Sequence, residues 1–347
     1  MRSVAAGELV RWGHPVDPKP QTLVLFGDGS QLVASAAWAG RAPIELANNE
    51  WVLKSDAIDA FRLPRSLVRG LVFAESAHPA ERRQLAERVR AASGTSDEIW
   101  LTNQDRLTGR VSGFGEGTMT LSTPGGDAKL PLSRVEAVAF AGSRAPAGAK
   151  LAVGLRDGSL LRVASMRASE KELELALTSG ERLTGSSVGD VVAVQALGSD
   201  RFVYLSDLEP AEYRHVPYLS IGWPLARDRN VLGQSLRVRG NRYLKGLGMH
   251  SAARVTYRLD GRWRRFEADV AIDDSAGRRG SVTFGVHVSR NGQWQAAFAS
   301  GIERGGGEPK PVSVDVRGAD GITLTVDYAD RGDELDHADW LDARLAK

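Results

Sequence analysis

The chain has 347 residues, 42% of them hydrophobic, with 45 basic and 43 acidic side chains and a formal charge of +2. That length exceeds one ordinary hydrophobic core and predicts about two to four domains. The balanced charge supplies no field to draw in nucleic acid or an anionic membrane, the lack of cysteine excludes disulfides and thiolate chemistry, and no run approaches the roughly 18 apolar residues of a membrane helix.

The opening Met1-Arg2-Ser3-Val4-Ala5-Ala6-Gly7-Glu8 has no signal-peptide apolar region. Beyond it, apolar residues recur with period two in short runs bounded by Gly, Asp, Asn or Ser, the pattern of an all-β chain. Thr22-Leu23-Val24-Leu25-Phe26 before Gly27-Asp28-Gly29-Ser30 is one example. The run Leu23 to Leu32 returns as Ile99 to Val111 and again as Leu151 to Leu161, so the first 200 residues read as three β repeats. The repeats also end alike: Pro64-Arg65-Ser66-Leu67-Val68-Arg69-Gly70-Leu71-Val72-Phe73 answers Pro131-Leu132-Ser133-Arg134-Val135-Glu136-Ala137-Val138-Ala139-Phe140, with a weaker echo in Ser187 to Val194. Each repeat has the grammar of a small β-barrel or curled sheet whose copies pack edge to edge. Only His78 to Ala91 breaks the pattern. Pro79 in the first turn, good helix formers and Gly94 beyond them predict one exposed helix between two β units. The expected boundaries are 1–77, 97–143 and 149–199 for the repeats, 78–96 for the helix segment and 200–347 for a further domain.

In that last domain Lys245-Gly246-Leu247-Gly248-Met249-His250-Ser251 is followed by Val255-Thr256-Tyr257-Arg258-Leu259-Asp260-Gly261, Arg265-Phe266-Glu267-Ala268, Ser281-Val282-Thr283-Phe284-Gly285-Val286, Ser300-Gly301 and Asp336-His337-Ala338-Asp339-Trp340. In order and spacing these motifs resemble NPCBM, a family of carbohydrate-binding modules, over roughly the last 145 residues. The resemblance implies a galactose-binding-like, jelly-roll β-sandwich that binds terminal galactose-like sugars, catalyses nothing and works outside the cytoplasm. The repeats would serve as spacer or protein-contact surface. A scaffold whose sandwich has become an interaction domain is the alternative from another class, and an accessory part of a glycoside hydrolase is a third.

A sugar site needs an aromatic face for C–H groups and a few fixed polar groups for hydroxyls, on loops at one end of a sandwich. Trp223, Trp263, Trp294 and Trp340 are the aromatic candidates, and His250, Arg304, Asp336, His337 and Asp339 the polar ones. Of these His250, Trp294, Arg304, His337 and Trp340 are the expected carbohydrate contacts. Five acids between Asp330 and Asp339 also invite a hard cation, and Asp330, Asp333 and Asp336 are the expected ligands of a structural calcium. The structural alternative stays open for the same residues: Asp336 binding backbone amides, His337 buried and hydrogen-bonded, Trp340 filling the core. No Gly-x-Ser-x-Gly elbow, phosphate loop or His-Glu-x-x-His helix marks a catalytic centre.

Overall fold

The computed structural model describes every residue except 1–8, 36–43, 74–77, 116, 124, 170–171, 186 and 219. Met1–Glu8, where no leader was expected, therefore lies outside the described residues. The described chain forms two compact units, Leu9–Leu197 and Gly198–Lys347.

The first unit is built from three copies of one strand pattern. In each, a first strand ends in a tight Asp-containing or Asn-containing turn, a meander follows, and a short 3-10 turn (Arg65–Leu67, Leu132–Arg134, Val188–Asp190) delivers a last strand that returns to pair with the first. The last strands are Val68–Val72, Val135–Ala139 and Val191–Ala196. Their registers coincide: Leu71 faces Val24, Val138 faces Ile99 and Val194 faces Val153, and each pairing shifts register at the same place, before Phe26, Leu101 and Leu155. Repetition in the sequence is thus repetition in hydrogen bonding. The copies are not separately closed, because strands from all three join one continuous sheet path and one core that includes Trp51, Phe114, Phe140, Leu155 and Leu175.

Pro79–Ala91 is helical, with His78 as N-cap and Glu81 completing a capping box. Its expected exposure is corrected by the packing: Arg82, Leu85, Ala86 and Val89 are buried. Those apolar residues cover Val72, Ala137 and Ala139, where two last strands meet. The approach is close enough that a Cβ on Gly70 would lie 2.4 Å from Val89 Cγ1. Arg82 ties the helix down through the carbonyls of Lys19 and Gln21.

The second unit is a sandwich of two sheets. One is centred on the last strand, His337–Ala346, between Gly246–His250 and Arg265–Ile272, with Phe202–Tyr204 paired to its far end. The other runs Glu212–His215, Ala253–Arg258, Gly321–Tyr328, Ser281–Arg290, Gln293–Ala299. Period two sets which side chains enter the core: in Ala253–Arg258, Ala253, Val255 and Tyr257 are buried while Arg254 and Arg258 are exposed. Trp340 fills the centre with no exposed surface, edge-on to Phe284 at 5.2 Å and tilted against Phe266 at 6.0 Å. Leu236, Val238 and Tyr243 cover Ala271 and Leu341, so the last strand is buried on its other face as well.

Candidate functional site

His250 closes one strand and His337 opens the last, and because these strands pair, His250 lies directly opposite His337. Their rings are 5.9 Å apart, and His215, at the end of Glu212–His215, stands 6.0 Å from His250. Trp223 lies flat on His250, with ring centres 4.7 Å apart and 4° between planes. The loop that carries Trp223 is held at both of its backbone polar groups: its N–H donates to His215 Nδ1 at 3.2 Å and its carbonyl accepts from Tyr213 Oη at 2.9 Å. Burial of that phenol pushes the Tyr213 pKa up to about 12, so it stays a donor.

The hydrogen bonds fix the imidazole tautomers. A carbonyl only accepts, so His250 Nδ1 and His215 Nε2, at 3.0 and 2.9 Å from the Ser251 oxygen, both carry protons. His215 Nδ1 then accepts from Trp223, and His250 Nε2 is left as an acceptor with no partner among the described residues. Burial holds the His250 pKa below its ordinary value, and His215 nearby adds to this against the Ser251 bond and Asp333. His337 is lowered by burial and by His250, and its Nδ1 meets Ser275 Oγ at 2.9 Å. Both rings are neutral near pH 7.

The loop between His215 and Trp223 carries exposed aromatic and apolar side chains. Tyr218 and Ile221 are 61% and 66% exposed, and Tyr218 meets Tyr328 edge-on at 6.1 Å. Arg304 reaches the same end of the sandwich, where it holds Asp330 Oδ2 through Nε and Nη2 at 3.1 and 2.6 Å.

His250, His337 and Arg304 are thus gathered at one end. Trp340 is not available to a ligand: its strand position turns the ring into the core. Trp294 is 49% exposed but packs on Gly321, at the opposite end of Gly321–Tyr328, roughly 20 Å away at ~3.3 Å per residue. Two of the three acids expected to bind calcium are engaged by protein groups. Asp336 is fully buried and spends one oxygen on Ser251 Oγ at 2.6 Å and the other on the Ser281 N–H at 3.0 Å. Asp330 is neutralised by Arg304, and among the described residues no three His, Asp or Glu side chains are grouped to hold a metal ion. Burial raises the Asp336 pKa to about 6, against its two hydrogen bonds. His215, Tyr218 and Tyr328 were missed by sequence reasoning, which had weighed Trp223 without choosing it. Only Gly222-Trp223-Pro224 in a polar loop gave a signal.

The family profile of the NPCBM/NEW2 domain matches residues 201–346. Residues 201–346 are an NPCBM domain. Over 113 residues the chain is 28% identical to a protein of Renibacterium salmoninarum named "Putative endo-alpha-N-acetylgalactosaminidase", a match covering 33% of this chain and 7% of that protein. The chain therefore spans a small part of its curated relative. Among solved structures it is similar to CBM51 from Clostridium perfringens GH95 in complex with methyl-galactose, at 25% identity and TM-score 0.37, covering 42% of this chain and 99% of that one. It is also similar to CBM51-2 in complex with GlcNAc and INT domains from Clostridium perfringens ZmpB, at 25% identity and TM-score 0.37, covering 55% and 42%. In this NPCBM domain the motif histidines form one side of the aromatic end described above.

Proposed function

We propose that the NPCBM domain binds a terminal galactose-like sugar without catalysing its hydrolysis, at the end of the sandwich where Trp223 rests on His250. The carrying observation is that stack: one face of the half-buried indole rests on the imidazole, its backbone N–H and carbonyl are both held, and exposed Tyr218 and Ile221 precede it on the same loop. Such aromatic groups suit the C–H face of a pyranose, and neighbouring polar groups suit its hydroxyls. The N-acetylgalactosamine in the name of the curated relative supports the choice of sugar class. A non-catalytic role fits the acids at this end. Asp336, whose raised pKa is that of a general acid, is buried with both oxygens bonded and cannot reach a glycosidic oxygen. Work outside the cytoplasm follows from the same family reading.

Isothermal titration of the full chain with methyl-galactoside, lactose and N-acetylgalactosamine tests the proposal. A shallow single site should bind with Kd on the order of 10 μM to 1 mM. Trp223→Ala should abolish the heat and leave the melting temperature within a few degrees. No heat from the folded chain with any of the three sugars would favour an assembly role instead.

A further inference from the structure

Where the first two copies of the repeat meet, their last strands pair antiparallel: Val72 with Ala137, Leu71 with Val138, Gly70 with Ala139. Leu71 and Val138 are equivalent positions, since each faces the same position of its own first strand. The joint is therefore symmetric about that position, the arrangement a two-fold axis produces. The third copy has the same last strand, and among the described residues no fourth copy pairs with its outer edge. Its edge is taken by the short strand Arg11–Gly13, in the same register: Trp12 faces Val194, the counterpart of Leu71 and Val138, with Gly13 on Ala193 and Arg11 on Gln195. A Cβ on Gly13 would lie 2.0 Å from the Val192 carbonyl oxygen. This strand has only three residues, none of them fully buried, and Trp12 is 54% exposed.

We propose that Arg11–Gly13 is a displaceable cap on a self-pairing edge, and that the partner this edge fits is the same strand, Val191–Ala196, of a second copy of the chain. The joint between the first two copies shows that two such strands complement each other in backbone hydrogen bonds. An antiparallel pair centred on Val194 and its symmetry mate would repeat it across a true two-fold axis. An uncovered strand edge is a template for this kind of association.

The test separates the cap from the edge. Gly13→Val drives a side chain into the Val192 carbonyl and so expels the cap while the rest of the chain is kept; deletion of residues 1–13 removes it. By light scattering at equal concentration, the unaltered chain should be monomeric and both variants should show twice its mass. The chain has no cysteine, so Val194→Cys introduces one thiol per chain. Directly opposite residues of an antiparallel pair have Cα atoms about 4.5–5.5 Å apart, within the roughly 4.4–6.8 Å that a disulfide spans. A mild oxidant should convert the truncated Val194→Cys chain to a covalent dimer and leave the full-length Val194→Cys chain uncrosslinked. Monomers with intact circular dichroism for both cap variants would overturn the proposal. So would a dimer that resists crosslinking at position 194, which would place the contact elsewhere. If both variants lose their fold, Arg11–Gly13 is an integral strand and not a cap.

Discussion

Both units are made of strands, yet they bury polar side chains differently. In Leu9–Leu197 the buried polar groups are spread out, each at a joint: Gln31 Nε2 donates to Gly158 O at 3.0 Å, Ser159 Oγ accepts from Val33 N at 2.9 Å, and Asp97 accepts from the Val111 and Ala141 amides and from Arg65. In Gly198–Lys347 His250, Ser251, Ser281, Asp336 and His337 converge on one end of a sandwich, alongside aromatic surface. Gln31 and Ser159 link one copy to another through backbone groups. A convergent set leaves unspent capacity, here His250 Nε2, and that capacity is what a ligand can use.

The largest expected effect breaks the comparison at its core. Trp340→Ala should cost about 3–5 kcal/mol through a cavity between the sheets. Asp97→Ala should cost about 3 kcal/mol by leaving Arg65 and two amides without their shared partner. Calorimetry should show each variant lowering a different transition; a single transition moved by both would mean that the two units unfold together.

A smaller effect sharpens the contrast within the sandwich. Asp339 has no exposed surface, and burial, followed by repulsion from Asp273 and a hydrogen bond with it, raises its pKa well above the ordinary value. The folded protein keeps this proton while the unfolded chain releases it above about pH 4, so stability is lost as pH rises from there towards the folded pKa. Asp336 acts with the same sign between about 4 and about 6. The lowered His250 and His337 act oppositely: below about pH 6.5 the unfolded chain takes up protons that the folded one refuses, and stability falls with acid. Asp339→Asn cannot ionise. It should stabilise the protein at pH 8 and less so towards pH 4, as read from urea unfolding at several pH values. The smallest expected effect is none: calcium or a chelator should leave the melting temperature unchanged, because Asp330 and Asp336 are spent on Arg304, Ser251 and Ser281.

The strands, the repeats and their closing turns were legible because period two and Asp-Gly turns are local, and the echo of Leu71 in Val138 and Val194 became the actual register. The helix was legible but its burial was not. Leu85 and Val89 are a sparse apolar stripe, which suffices only because Gly70, Ala137 and Ala139 make the facing strands nearly flat. At the site, His250 and His337 stood in the motifs and came together through one strand pair. Tyr218, Tyr328 and His215 could not be read, since their meeting depends on how the loop after His215 folds back. Trp294 was chosen as a half-exposed aromatic in a hairpin, and strand pairing sets it at the other end of the sheet from His250 and His337.

In the sandwich, Phe202, Val203 and Tyr204 pair with Ala346, Leu345 and Arg344, so its first strand and its last lie side by side. The central strand comes last in the order of the sandwich, so the sheet it organises cannot close until that strand is available. Adjacent ends have the opposite virtue once folding is done. A short linker joining 346 to 202, with new ends opened at the exposed Asn291-Gly292 turn, should give a circular permutant with the same sandwich, and the module can be set into a loop of another protein without spreading that loop's ends apart.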